Sequence, residues 1–363
     1  MAEVRSQATS IARDGYLGGN APLRLYIPNV SSAFRVRRAE GVYLGAGARW
    51  EPSSRVSLDA TAGWAFGRGA GEFRAGVQAA VGSSTRRLDG WINELSDIGP
   101  FEASSGIVST MGATFRGDDW TDPYFRSGGR LGVRTPLGPI GRGDFALVAE
   151  HQEGAELELD PVGSATARAV RPVTEGTDLR IELGIERGFG SLAGSQAVLN
   201  LRGQLSGAAD FGYTRWHALL TTRPEEPDAT WSWEAALGAG VGTGSLPEQQ
   251  LLLLGGRGTV PGYEFRPFAG DVAAFLNGAV SRSLWSPWIR IRGIAAAGWT
   301  DLGDPGSEAA ARFGARATGN VRTSLGAGLG LFYDLVRLDV ARGLSEGEWE
   351  WMVSVTPAFR PPL

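Results

Sequence analysis

A chain of 363 residues with 54 glycines, 12 tryptophans and no cysteine has room for two ordinary domains or one large barrel. Lack of cysteine excludes disulfide frameworks, thiolate catalysis and cysteine-ligated zinc, and a net charge of -4 gives nucleic acid no basic footprint, so no nucleic-acid partner is expected. All 35 basic residues are arginine, no apolar run approaches the ~18–20 residues of a membrane-spanning helix, and the opening "MAEVRSQATSIARDG" lacks the apolar core of a signal peptide.

Taken in chain order, residues 1–38, with Gly18, Gly19, Pro22 and Pro28, read as an extended lead-in, leaving 39–363 as one domain. Period two then takes over. "GVYLGAGARWE" sets Val42, Leu44, Ala46, Ala48 and Trp50 against Tyr43, Gly45, Gly47, Arg49 and Glu51. "RVSLDATAGWAFG" repeats the pattern, and "EFRAGVQAAV" places Arg74 opposite Phe73, Ala75 and Val77. "DLRIELGIE" opposes Leu179, Ile181, Leu183 and Ile185 to Arg180, Glu182 and Glu186. "TWSWEAALGAGVG" carries Trp231, Trp233 and Leu237 on one face and Glu234 on the other. The last segment aligns Trp349, Trp351, Val353, Val355 and Phe359 as a C-terminal strand signal.

Strict alternation marks strands with one apolar and one polar face. These runs exceed the ~5–6 residues of a soluble strand and match the ~9–11 of a tilted membrane strand. Aromatic residues sit near strand ends, where a girdle at the lipid headgroups would lie. Arg74, Arg180, Glu182, Glu186, Arg202 and Glu234 would line a watery interior, since a charge at the lipid midplane costs ~2–4 kcal/mol. The expected fold is all-β, a single transmembrane antiparallel up-and-down barrel of about fourteen strands, with twelve and sixteen as alternatives. Short links ("GRGA", "RPEEPDA", "SPW", "YD") alternate with long ones at roughly 84–127, 154–176, 246–271 and 301–320, as short periplasmic turns do with longer outer loops. The link containing "SSGIVSTMGATF" is expected to hold a short helix or a further hairpin. This reading places the chain in the outer membrane of a Gram-negative bacterium, among lipid and lipopolysaccharide, with its lead-in on the periplasmic side.

Two motifs invite chemistry. In "GAGVGTG" (Gly238 to Gly244) the glycines fall on every second residue, a register that a G-x-G-x-x-G turn would break. They are expected to face inward and to make room for large neighbours or let the wall bend. "RGDDWTDPYF" gathers Asp118, Asp119 and Asp122, which could hold a hard cation such as Ca²⁺, although the spacing is not that of an EF-hand. His151 and His217 are the only histidines and no G-x-S-x-G occurs. With no nucleophile, base and oxyanion site in view, neither an enzyme nor a cofactor is expected.

"LLLLGGRGTVPGYEFRPFAGD", Leu251 to Asp271, joins a strand ending near Gly244 to one beginning near Val272, with five strands to follow. It resembles the loop "GG…VRGY…GD" of the BamA/TamA family of bacterial surface-antigen barrels, matching at Gly255, Gly256, Val260, Gly262, Tyr263, Gly270 and Asp271. "SLGAGLGLFYDLVRLDVARGL" is similar to the family's glycine-rich segment near its end, at Arg337, Asp339, Ala341 and Arg342. The specific likeness covers about 251–344. It implies a loop that folds back into the barrel, and a weak seam between first and last strands, here "GVYLGAGARW" and "WEWMVSVTPAF". It further implies translocation or assembly of a polypeptide, or anchoring of an upstream periplasmic module, and so the C-terminal barrel of a longer chain. In the family an aspartate on a neighbouring strand holds the motif arginine. Here Pro261 and Ala296 stand at those places, so Arg257 or Arg266 is expected to anchor the loop against inward carboxylates such as Glu182 or Glu234. A passive diffusion pore, its ion preference set by the lumen charges, is the alternative function. A soluble all-β enzyme or lectin is the third.

Overall fold

The structure is a computed structural model that describes residues 23–355 apart from 102–103, 227–228, 287 and 333. Two short strands come first, β1 (Leu23–Leu25) and β2 (Phe34–Arg37), separated by a one-turn helix α1 (Val30–Ala33). A long series follows: β3 (Gly41–Ser53), β4 (Val56–Ala65), β5 (Ala70–Val81), β6 (Ser84–Asp97), helix α2 (Gly106–Arg116), β7 (Pro123–Pro136), β8 (Arg142–Gly154), β9 (Gly176–Leu192), β10 (Ser195–Ala209), β11 (Gly212–Pro224) and β12 (Trp231–Ser245). Two three-residue strands, β13 (Leu252–Leu254) and β14 (Phe268–Gly270), pair within the next loop. The wall resumes with β15 (Val272–Trp285) and β16 (Ile289–Asp301). Helix α3 (Asp304–Phe313) precedes β17 (Arg322–Leu331), β18 (Val336–Gly343) and β19 (Trp349–Val355).

Each wall strand from β3 to β19 is antiparallel to the next, with β12 pairing directly to β15. This is the expected up-and-down meander, in longer form. Leaving out β13 and β14, fifteen strands from β3 to β19 form the wall among the described residues, so fourteen is an undercount. The expected long link at 84–127 contains all of β6 as well as α2. Period two breaks in β6 because Arg86 faces outward and a register shift falls between Trp91 and Glu94, where Asn93 has φ 55°. The lead-in also needs correction where it is described. β1 and β2 both pair with the free edge of β3, Leu25 with Ala48 and Phe34 with Leu44. Together they form one interrupted strand ahead of residue 39. Glycines make the interruption possible: a Cβ at Gly45 would lie 2.6 Å from the Ser32 carbonyl oxygen, and one at Gly47 2.6 Å from that of Tyr26.

The two faces of the wall are inverted relative to a soluble sheet. In β8, Asp144, Ala146, Val148, Glu150 and Gln152 are buried, while Phe145 and Leu147 between them are exposed, Leu147 at 56%. In β16, Arg290, Arg292, Ile294, Ala296 and Thr300 are buried while Ile291 is exposed. Leu44, Leu131, Ile181, Leu237, Leu276 and Leu325 continue the bare apolar exterior. Trp64, Phe66, Trp349 and Trp351 ring the long-loop end outside, and Trp50, Trp231, Trp285 and Trp288 the short-turn end. No second layer covers these faces among the described residues, so the hydrophobic band and both aromatic girdles face outward, as hydrocarbon requires.

Candidate functional site

At one end lie the tight turns, such as 54–55, 82–83 and 193–194; at the other lie the links 98–122, 155–175, 246–271 and 302–321. The 246–271 loop is the centre of this second end. Its stretch Glu248–Leu254 is buried throughout. Leu252, Leu254, Val260, Tyr263 and Phe268 pack with Phe101, Ala273, Phe275 and Ala296 into an apolar cluster. The inward glycines of β12 admit it. A Cβ at Gly238 would lie 2.1 Å from Phe275, one at Gly242 2.6 Å from Leu246, and one at Gly240 3.0 Å from Leu252. Ala296 thus belongs to an apolar contact in this chain, and so does its neighbour on β16, Gly298, whose Cβ would lie 2.5 Å from Val260.

The motif residues shape the turn. Gly255, Gly256 and Gly262 have φ of 110°, 73° and 86°. Gly262 has a further constraint: a Cβ there would sit 2.2 Å from the Gly343 amide nitrogen. Its carbonyl accepts from the amides of Gly343 and Glu348, at 3.1 and 2.8 Å, and its own N–H donates to Glu350 Oε2 at 2.9 Å. Tyr263 donates its hydroxyl to the Thr323 carbonyl at 3.0 Å. Asp271 N–H donates to the Asp301 carbonyl, and Asp271's own carbonyl accepts from Gly242 N–H at 2.6 Å. Gly270 completes β14. The loop is therefore fastened to β12, β16, β17, β18 and β19.

Both candidate arginines anchor it, through partners other than those expected. Arg266 is buried in a left-handed conformation (φ 52°) and reaches Asp97 at 2.7 Å and Asp122 at 3.3 Å. It also donates to the Phe101 carbonyl at 3.3 Å. Arg257 stacks on Trp120, 3.7 Å from the ring centroid, and its backbone N–H donates to Glu350 Oε1 at 3.2 Å. Glu182 and Glu234 are not the partners because each is consumed inside the wall. Glu182 pairs with Arg180 at 3.0 Å and Arg130 at 3.3 Å, and Glu234 pairs with Arg292 and Arg337, both at 2.7 Å. Glu234 also lies near the short-turn end of β12, far along the strand from the loop.

The clasp extends across three loops. Asp122 takes Arg168 at 2.9 Å as well as Arg266, and Arg171 donates to the carbonyls of Arg266 and Phe265. Asp119 is paired at 3.0 Å with Arg38, at the turn from β2 to β3, and Arg38 also donates to the Arg168 carbonyl. Burial pushes the Asp122 carboxyl upward, but Arg168, Arg266 and Arg171 outweigh it and hold the group below the usual carboxylate range. Asp119 is lowered likewise: burial is overcome by Arg38 and Arg37. The cation site considered at Asp118, Asp119 and Asp122 is thus occupied by arginines, Asp118 taking Arg168 at 3.2 Å.

The other sequence-predicted residues disperse. Arg74 meets Glu94 at 2.7 Å, and Arg180 meets Glu150 and Asp178, each at 2.8 Å, within the lumen. Glu186 and Arg142 make an exposed pair at 4.0 Å, and Arg202 lies over Gly184. Trp349 and Trp351 face outward on β19; Phe359 lies outside the described residues. Sequence reasoning missed Asp97, Asp122 and Glu350 as loop partners. The one signal for Glu350 was its inward place between Trp349 and Trp351.

No family model and no curated protein matches the chain. Among solved structures, BamA from Haemophilus ducreyi lacking POTRA domains 1–3 aligns with a TM-score of 0.58 at 14% identity, over 95% of this chain and 76% of that one. CdiB from Escherichia coli aligns at 0.48 and 15% identity, over 88% of this chain and 58% of that one. OccK10 from Pseudomonas aeruginosa aligns at 0.37 and 12% identity, over 91% and 94%. The first alignment bears on fold alone, and it agrees with the long antiparallel meander. In fold, the chain is a BamA-like barrel.

Proposed function

We propose that this chain is an outer-membrane barrel that serves as the membrane domain for translocating, assembling or anchoring a polypeptide. The reading assigns it no catalytic step and no cofactor; its surroundings are outer-membrane lipid and lipopolysaccharide. One observation carries the reading. Every neighbouring pair from β3 to β19 is zipped by a ladder, whereas among the described residues no ladder joins β19 to β1, β2 or β3. Such edges present unpaired backbone groups of the kind an extended polypeptide segment can pair with. A barrel built only as a sieve has no use for an unzipped seam, since closure removes edges altogether.

The clasp supports the same reading over a passive pore. Loop residues 248–254 are buried, and Arg266 of the same loop is tied to Asp97 and Asp122, where a steady diffusion channel needs an open aqueous path. Conductance in planar bilayers tests this: a closed, flickering barrel is expected, and a steady, voltage-insensitive open pore would replace the proposal with the pore reading.

A further inference from the structure

The seam between β2 and β19 is the one place where two wall edges meet without a ladder among the described residues. Helix α2 lies there. It packs along β2 and also reaches β19. Thr110 on α2 accepts the Val36 N–H of β2 at 3.3 Å, and Gly106 sits against Ser31. On the other side, Arg257 donates to the Val353 carbonyl of β19 at 3.4 Å while stacked on Trp120, the ring that also covers Gly112 of α2. The helix buries Val108, Ser109, Gly112 and Ala113, and exposes Ile107, Met111 and Phe115 at 45%, 54% and 61%. Those three recur at every fourth residue and so form a single apolar stripe.

We propose that α2 is part of the wall: it fills the outer half of the seam between β2 and β19 and presents Ile107, Met111 and Phe115 to lipid acyl chains. Two arguments select lipid as the occupant. The stripe is continuous with apolar exterior on both flanks, Phe34 and Leu44 on one side and Trp351 and Val353 on the other, all exposed. And an element that lies in hydrocarbon without pairing to the sheet must satisfy its own backbone, which a helix does. At about 1.5 Å per residue, eleven residues span roughly half the ~30 Å hydrocarbon thickness. Val36 pairs with Val42 at the long-loop end of β3, which puts the helix in the outer half.

The inference rests on the lipid-facing reading of the exterior, and the experiment separates the two. The chain has no cysteine, so single substitutions can be labelled cleanly. Met111→Cys, Phe115→Cys, Leu276→Cys (mid-wall, 50% exposed) and Val162→Cys (loop, 64% exposed) are each labelled with a small fluorophore. The proteins are reconstituted into phosphatidylcholine vesicles with or without brominated acyl chains, and titrated with iodide. Met111→Cys and Phe115→Cys are expected to be quenched by brominated chains as strongly as Leu276→Cys and spared by iodide. Behaviour like Val162→Cys, quenching by neither agent, or a split between the two helix sites overturns the inference. Failure of Leu276→Cys itself would overturn the lipid-facing reading first.

Discussion

Along β15 and β16 the register runs without a break from Val272 opposite Asp301 to Ser283 opposite Arg290. At the mouth, Arg266 reaches Asp122 and Asp97, 144 and 169 residues away in sequence. The wall is held by backbone groups between sequence neighbours, so it depends little on any one side chain. The mouth concentrates its cohesion in a few buried charges whose partners arrive from three loops. A lost side chain in the wall leaves the ladder in place; a lost partner in the mouth leaves a charge buried and unpaired.

The sharpest break of this contrast is Arg266→Ala. It takes the arginine partner from Asp97 and one of the cations around Asp122, and the expected cost is about 3–5 kcal/mol against unfolding, with faster proteolysis of the 246–271 loop and a rise in conductance. Gly262→Ala comes next, at about 1–3 kcal/mol, because a Cβ there meets the Gly343 nitrogen and φ is positive. Urea unfolding in detergent reads both. Glu350→Gln keeps the shape but weakens charge-assisted bonds from Gly262 and Arg257, and about 1 kcal/mol is expected by the same method.

The pH dependence follows from Asp122. Its folded pKa lies below the unfolded value of about 3.9, so the stability it contributes is fully present above that value and is lost as pH falls through the folded one. Asp122's contribution should hold at pH 5 and be lost only below about pH 4, with Asp122→Asn blunting that acid limb of the thermal midpoint. At the small end, Glu186→Gln in its exposed pair with Arg142 should change stability by less than about 0.5 kcal/mol.

The same contrast explains what could be read from the chain. Strand alternation is local, so the faces of β3, β4, β5, β9 and β12 were legible, as were the loop's position and the inward glycines of β12. β6 escaped because its bulge at Asn93 and outward Arg86 interrupt the period. β1 and β2 escaped because each is too short to show one, and only pairing with β3 reveals them. The clasp was half legible. A buried arginine in the loop was foreseeable, but its partners depend on how β6, α2 and the 155–175 link fold together, and no spacing in the sequence encodes that.

The claim beneath all of this is that the inverted wall faces hydrocarbon outside and water within. Spin labels placed singly along β16, from Ile291 to Ala297, in reconstituted bilayers test it most directly. The predicted result is a two-residue alternation, with Ile291, Gly293 and Ala295 open to dissolved oxygen and shielded from a polar nickel complex. Collision with the nickel complex at those three sites, or no alternation at all, would contradict it.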